Sequence, residues 1–475
     1  MKNFNKTKII TTLGHATHTQ AMIYQLIQAG ADVMRINASH GDHPFLKSIV
    51  DNVREINDSK KLNIAMLLDL QGPKIRIGEM ENGQCELADK QPFILTTSEI
   101  MGNHEKATIR YAHFASDVKK GDIILIDDGK LKLEVKEIIS SEEVITQVIN
   151  GGVLMSKKGV NLPFTNISIP SITSKDRADI EFALQNDIEW IGLSFVRTAN
   201  DILNLKDIIK QSGKPMRVIA KIEKPEAVRN IDEIIAVSDG IMVARGDLGV
   251  EIDLAQVPII QKKIVKKCRA AGIPVIIATQ MMESMITNFR PTRAEANDVG
   301  NAVYDGADAL MLSAETSVGK FPVETVNSMR KIIHAIEHDQ EIYYRMTLPD
   351  KHSKTFISDT LCYHATELAK QSGAKAIAAM THSGYTAFKI SSQRPRAGIF
   401  IFTDHKPILN TLNLVWGVRG MYYDKFISTD QTIDDIKNIL KEEGLVNSGD
   451  VIIHVASTPM QKRSRANTVK INVVD

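Results

Sequence analysis

Cysteine is scarce in this 475-residue sequence: Cys85, Cys268 and Cys362 are the only three, and they lie far apart. That count and spacing exclude a disulfide framework and a cysteine-based metal site, and point to a reducing compartment. Net charge is nearly absent as well, with 58 lysines and arginines against 57 aspartates and glutamates. No global field draws the chain to nucleic acid or to an acidic membrane, so anion binding has to come from local clusters. No apolar run reaches the roughly 18 residues that a membrane span needs. The opening MKNFNKTKIITTL has no apolar signal-peptide core. The expectation is a cytoplasmic protein with neither membrane nor nucleic-acid partners. A fixed-period repeat and a low-complexity tract are also missing.

Apolar residues make up 43% of the chain and charged residues 24%, enough for a large core. At about 150 residues per domain, the length suggests roughly three domains. Eight short apolar runs recur: KIITTL (8–13), VMRIN (33–37), IAMLLDL (64–70), WIGLSFV (190–196), VIAKIE (218–223), GIMVAR (240–245), PVIIAT (274–279) and ALMLSAE (309–315). Amphipathic stretches such as HTQAMIYQLIQAG lie between most of them. Runs that are apolar on both faces and alternate with helices predict a parallel sheet, and eight units predict a closed (β/α)8 TIM barrel over 1–77 and 157–345. Residues 78–156 read differently, as alternating strands with turns at Asp128-Gly129 and Asn150-Gly151. They predict a small inserted β-barrel domain over the catalytic end of the barrel, placed as a lid. From about residue 346 to 475 a new α/β series predicts an independent open-sheet domain, with NTVKINVV added antiparallel.

Chemistry-bearing residues gather at the C-terminal ends of the barrel runs. Alternation in a strand puts Arg35 with Asn37, Lys221 with Glu223 and Arg245 with Asp247. Asp69, Arg197, Thr279, Ser313 and Glu315 end or follow other runs. A lone K-x-E on a strand is usually a paired surface feature, but charge concentrated at one end of many buried strands favours a site. Glu223 and Asp247 suit a hard divalent cation, Mg²⁺ or Mn²⁺, which takes one or two carboxylates plus substrate oxygens and water. Arg35 and Lys221 then look like cations waiting for an anionic substrate, the equipment of phosphoryl transfer. Gly246 and Asp247 open a glycine turn into a helix and offer backbone N–H groups to an anion. Walker A and dinucleotide-binding glycine patterns are absent from the barrel.

Eight segments together resemble the pyruvate kinase family: MRINASHG (34–41), LDLQGPKIR (68–76), KKGVNLP (157–163), AKIEKPEAV (220–228), MVARGDLGVE (242–251), ATQMMESM (278–285), PTRAEANDV (291–299) and DGADALMLSAET (305–316). The resemblance implies transfer of the phosphoryl group of phosphoenolpyruvate to ADP, giving pyruvate and ATP. It implies that Lys221 and Arg35 stabilise the phosphoryl group and that Glu223 and Asp247 ligate the metal. Gly246, Asp247 and Thr279 would hold the substrate carboxylate, with Thr279 and Ser313 organising a proton relay. Arg76 and Lys158 would contact the nucleotide phosphates, Lys158 when the lid closes, with Asn37 and His40 in the same cradle.

The sequence also departs from the family pattern. Many members carry Thr-Lys-Gly-Pro-Glu where this chain has Leu70-Gln71-Gly72-Pro73-Lys74. Asn37, Ser39, Asp69 and Leu70 occupy the positions of the family's K⁺ site, and the Lys74 ammonium is a tethered cation that could replace K⁺. The expectation is activity without K⁺. His15 and Ala314 are lesser departures near the nucleotide and after the eighth run. In the C-terminal domain, Thr381, His382, Ser383, Gly384, Tyr385 and Thr386 lie between a strand and a helix, an arrangement that can hold an anion. The later turn STPMQKRSRANT adds Lys462, Arg463 and Arg465. In the family these loops take a sugar-phosphate or nucleotide activator. The family is also typically homotetrameric, with Arg293 near a neighbouring chain. Two other readings use the same residues: a barrel aldolase or lyase working on a metal-bound enolate, and a non-catalytic metabolite sensor.

Overall fold

The computed structural model describes residues 5–163, 165–425, 428–458 and 464–475. Eight parallel strands close into a barrel: Lys8–Thr12, Val33–Asn37, Ala65–Asp69, Trp190–Leu193, Arg217–Ile222, Gly240–Ala244, Val275–Ala278 and Ala309–Leu312. Alternation explains its two cores. Met34, Ile36, Met66, Leu68, Ile191 and Leu193 face the surrounding helices, whereas Ile10, Val33, Leu67, Ile219, Met242 and Ile276 fill the interior. The inward parity carries on to Arg35, Asp69 and Lys221, so the same rule that fills the barrel puts these charges at its C-terminal rim. Helix starts and stops are set locally. Thr292 and Glu295 cap each other's backbone at the start of Arg293–Asp305, and Gly306 ends that helix at φ 97°.

The insertion is mostly β. A six-stranded sheet and the paired strands Gln84–Leu87 and Gly152–Met155 wrap one apolar core that includes Phe93, Phe114, Leu133 and Val148. Its hydrogen bonding runs past the expected limit at residue 156, because Val160–Asn161 pairs antiparallel with Ile126 and Leu125. Ile75, Ile77 and Leu162 belong to the same core. The chain therefore remains in the lid for a few residues on each side of the sequence-based limits.

The C-terminal domain is a five-stranded sheet in which Thr468–Val473 pairs antiparallel with Val451–Ala456. It seals the barrel end opposite the charged rim. The buried Trp190 indole donates to the Thr411 carbonyl at 3.2 Å, and the Lys8 ammonium donates to the Val418 carbonyl at 3.0 Å. Arg394 stacks on Trp416 and pairs with Asp308 at 3.0 Å. Among the described residues no helix is long and apolar enough to cross a membrane.

Candidate active site

Asp69 is the hub of the rim. One of its oxygens accepts from Arg35 Nε at 2.9 Å and Nη2 at 2.5 Å, and the other meets Lys221 Nζ at 3.1 Å. Asp69 and Lys221 lie on the third and fifth strands, with Gly192 of the fourth between them. A β-carbon at Gly192 would sit 3.2 Å from Asp69 Oδ1 and 3.6 Å from Lys221 Cδ, so the missing side chain is what lets the ion pair cross. Arg35 also donates to Thr12 Oγ1 at 2.8 Å. The sequence-based picture of two cations without partners is thereby corrected: a buried carboxylate holds both. Burial alone would raise the Asp69 pKa, but Lys221 and Arg35 bring it below the ordinary carboxylate value.

Lys221 reaches Glu223 at 2.9 Å and donates to Ser194 Oγ at 2.7 Å. Burial works against its charge, yet Asp69, Glu223 and Asp247 together raise its pKa above that of a free lysine. The Glu223 pKa is raised, first by burial, with Lys221 opposing and Asp247 adding repulsion. The charges of Glu223 and Asp247 thus act on each other and on Lys221. Asp247 reaches that place differently from the sequence-based expectation. The sixth strand ends at Ala244, and Arg245 to Glu251 form a short helix. Arg245 turns away to Asp298 at 2.7 Å and to the Thr279 carbonyl at 2.8 Å, so it does not share a strand face with Asp247.

The carboxylate pair fits a hard divalent ion. Among the described residues no group of three or more His, Cys, Asp or Glu is arranged around a metal position. Two carboxylates leave most coordination positions to water and substrate oxygens, which matches Mg²⁺ or Mn²⁺ rather than zinc. Two turns beside these carboxylates are held in strained backbone. Phe195 and Thr279 have φ of 54° and 69°. The Phe195 N–H donates to Glu223 Oε2 at 2.7 Å, and Thr279 Oγ1 accepts from the Gly246 N–H at 2.7 Å. Gly246, Asp247 and Thr279 are therefore adjacent, with the Gly246 N–H already bonded to the threonine. Ser313 follows the eighth strand, and its N–H donates to Glu315 at 2.7 Å. Glu315 is buried and also accepts from the Met282 N–H at 3.2 Å, so it clamps two loops and does not end the strand.

Elsewhere at the rim, the charges of Arg35, Lys74 and Arg76 converge on His40. Burial first, then the charges of Arg35, Lys74 and Arg76, hold the His40 imidazole below its ordinary pKa. Lys74 is exposed, on a loop anchored where Asp176 accepts from the Gly72 N–H at 3.1 Å. The groups expected at a K⁺ site already have partners: Asn37 Oδ1 accepts from the Ser39 N–H at 2.9 Å, and the Leu70 carbonyl accepts from Ser194 Oγ at 2.7 Å. Arg76 donates to the Lys157 carbonyl at 3.0 Å. Lys158 is not at the rim; it pairs with Asp127 of the lid at 2.8 Å. Between lid and rim runs a cleft lined by Lys74, Asp128, Asn161, Arg197, Lys224 and Asp247. Arg197 holds the lid's return loop by donating to the carbonyls of Ile167 and, at 2.8 Å, Ile169.

Sequence reasoning missed the residues that brace this cleft. Ser194 joins Lys221 to the Leu70 carbonyl, and Lys224 pairs with Glu251 at 2.7 Å. The same Glu251 oxygen accepts from Asn161 Nδ2 of the lid at 2.7 Å. The spacing of Lys224 and Glu251 carries no motif; only the fold of the short helix brings them together. In the C-terminal domain, Thr381, His382, Ser383, Tyr385, Thr386 and Arg465 line one recess, and Gly384 caps the helix beginning at Tyr385 with φ 81°. The Thr381 hydroxyl accepts from the Gly384 N–H at 3.0 Å, and His382 approaches Asp404 at 3.4 Å. Arg465 lies over the Tyr385 ring. Lys462 and Arg463 lie outside the described residues.

Comparisons with known proteins agree along the whole chain. The pyruvate kinase barrel-domain family model matches residues 4–326, and the pyruvate kinase alpha/beta-domain model matches residues 359–472. The chain is similar to a pyruvate kinase of Geobacillus stearothermophilus, 42% identical over 473 residues that span 99% of this chain and 80% of that protein. It is also similar to one of Clostridium perfringens, 39% identical over 474 residues, covering 99% and 100% of the two chains. A crystal structure of a pyruvate kinase from Cryptosporidium parvum superposes with a TM-score of 0.93 at 35% identity, over 99% of this chain and 96% of that one. With both domain models in place, the inserted lid between barrel strands and relatives matched over 99% of this chain, this phosphotransferase belongs to the pyruvate kinase family.

Proposed function

We propose that this chain transfers the phosphoryl group of phosphoenolpyruvate to ADP, yielding pyruvate and ATP. The observation that carries the reading is the rim itself: Lys221 lies among Asp69, Glu223 and Asp247, with Arg35 on the same buried carboxylate. Glu223 and Asp247 would hold Mg²⁺ or Mn²⁺, which when bound neutralises charge on phosphoryl oxygens. Arg35 and Lys221 are the fixed cations for the charge that spreads over the transferring group. Asp69 keeps Lys221 charged and both side chains aimed without neutralising them fully. The Gly246 N–H would exchange its bond to Thr279 Oγ1 for one to the substrate carboxylate, with the Asp247 N–H and the Thr279 hydroxyl beside it. Thr279 and Ser313 would carry the water relay that protonates the enolate carbon. Arg76, His40 and Asn37 line the side from which ADP phosphates would approach. Lys158 would leave Asp127 and join them as the lid closes.

Three finer readings belong to the same proposal. Lys74 stands near Arg35, Arg76 and His40 and supplies the monovalent positive charge, so that K⁺ is not required. The C-terminal recess with Arg465 takes a sugar-phosphate or nucleotide effector, which makes the enzyme allosteric. The protein works in the cytoplasm as a homotetramer. The test is a coupled assay for pyruvate from phosphoenolpyruvate, ADP and Mg²⁺. The proposal expects pyruvate that disappears when the metal is chelated. Turnover of neither substrate, or release of inorganic phosphate without ATP, would overturn it. An aldolase or lyase leaves Lys158, Arg76 and the lid without a task, and a sensor leaves the charged rim without one.

A further inference from the structure

Glu251 joins three parts of the molecule that sequence order keeps apart. It closes the helix whose first turn carries Asp247, and the two acidic residues are four apart, on one helix face. Its partner Lys224 directly follows Glu223. Its other partner, Asn161, is on the lid strand Val160–Asn161, three residues beyond Lys158. The Lys224 ammonium and the Asn161 amide both donate to Glu251 Oε1 at 2.7 Å. The pair is sealed: Lys224 is 5% and Glu251 2% exposed, and Glu251 Oε2 has no hydrogen-bond partner among the described residues. A buried ion pair with one unsatisfied oxygen contributes little to stability, since its desolvation offsets its attraction. Folding alone does not call for it.

We propose that Glu251 is a positioning residue that couples the lid to the carboxylate pair, an inference that rests on the phosphotransfer reading above. With the lid seated, Asn161 shares the Glu251 oxygen with Lys224. Without that contact the full acceptor turns to Lys224, and the peptides carrying Glu223 and Asp247 shift relative to one another. Metal binding and lid seating are then linked, and the linkage is reciprocal: whatever the lid adds to metal affinity, the metal adds to lid seating. The nucleotide face gains as well, because Lys158 lies only three residues before Asn161 in the same lid segment.

The test uses Mn²⁺ alone, titrated by electron paramagnetic resonance without substrates, together with KM and kcat. Asn161→Ala is expected to weaken Mn²⁺ binding by about fivefold, the low end of such couplings. It is also expected to raise KM for ADP more than KM for phosphoenolpyruvate, with kcat nearly unchanged. Glu251→Gln keeps the shared acceptor and is expected to retain Mn²⁺ affinity, whereas Glu251→Ala loses it. Unchanged Mn²⁺ affinity and unchanged KM for ADP in Asn161→Ala would overturn the coupling, and so would equal losses in the glutamine and alanine variants. Should Glu251→Ala fail to fold, Asn161→Ala decides alone, since its side chain is on the lid and outside the ion pair. Failure of the wild-type protein to bind Mn²⁺ at all would instead remove the phosphotransfer reading, and the inference with it.

Discussion

Replacing Asp69 by asparagine separates what the rim does for folding from what it does for chemistry. The substitution keeps shape but removes the one charge that meets Arg35 at 2.5 and 2.9 Å and Lys221 at 3.1 Å. Breaking a buried pair in this way costs about 3–5 kcal/mol, because the partners are left uncompensated. If that loss fell wholly on the transition state, at about 1.4 kcal/mol per decade it would slow turnover by about 10²–10⁴. The ground state should not share it. A bound phosphoryl group supplies the anion that Arg35 and Lys221 have lost, so KM for phosphoenolpyruvate should hold or fall while kcat drops. The pH profile should change with a defined sign. Asp69 is the largest of the charges that raise the Lys221 pKa against burial. Without it the ammonium deprotonates at lower pH, and the alkaline limb of kcat moves toward neutrality. Steady-state kinetics over a pH series read all three effects. A kcat close to wild type with an unmoved alkaline limb would refute the reasoning.

Other predictions follow from neighbouring contacts. Lys221→Met should lose about 10²–10³ in kcat, as for one preorganised charge donor, yet still bind Mn²⁺ in a resonance titration. Gly192→Ala puts a methyl 3.2 Å from Asp69 Oδ1; kcat should fall with no loss of metal affinity, which the same two measurements show. Activity should survive exchange of K⁺ for tetramethylammonium, and should drop in Lys74→Met until K⁺ is restored. His454 is buried and its pKa is held down to about 4, first by burial and then by Lys470. The unfolded chain therefore binds a proton that the folded chain refuses between that pH and about 6.5, so stability falls as pH falls through this window, by about 3 kcal/mol in total. Denaturant titrations at pH 7 and pH 5 should show the loss, and His454→Leu should flatten it.

The strand alternation made most of the barrel legible, and with it the inward parity of Arg35, Asp69, Lys221 and Glu223. Two-residue periodicity says which face a side chain takes; it does not say which strands are neighbours. That Asp69 serves both Arg35 and Lys221 depends on the register Asn37 to Asp69 and Gly192 to Asp69, and on a glycine where the fourth strand would otherwise carry a side chain. The glycine in WIGL was a visible signal, since a bare position in a buried strand marks a close approach. Arg245 was misplaced because a chain turning into a helix at Gly246 loses strand parity at once. Asn161, Lys224 and Glu251 were not legible at all. Their meeting depends on how the lid is seated on the barrel, which no local pattern encodes. Similarly, Val160–Asn161 reads as loop in isolation and becomes strand only through its partners Ile126 and Leu125.

The central claim is that a charged rim, organised by Asp69 and the Glu223–Asp247 pair, passes a phosphoryl group from an enol ester to a nucleotide. Phosphorus magnetic resonance of phosphoenolpyruvate and ADP with the wild-type protein and Mg²⁺ follows that group directly. The account predicts that the phosphoenolpyruvate signal decays as the γ-phosphorus signal of ATP grows in equal amount, with or without K⁺, and that Glu223→Gln abolishes the transfer. Growth of inorganic phosphate instead, or transfer undiminished in Glu223→Gln, would contradict it.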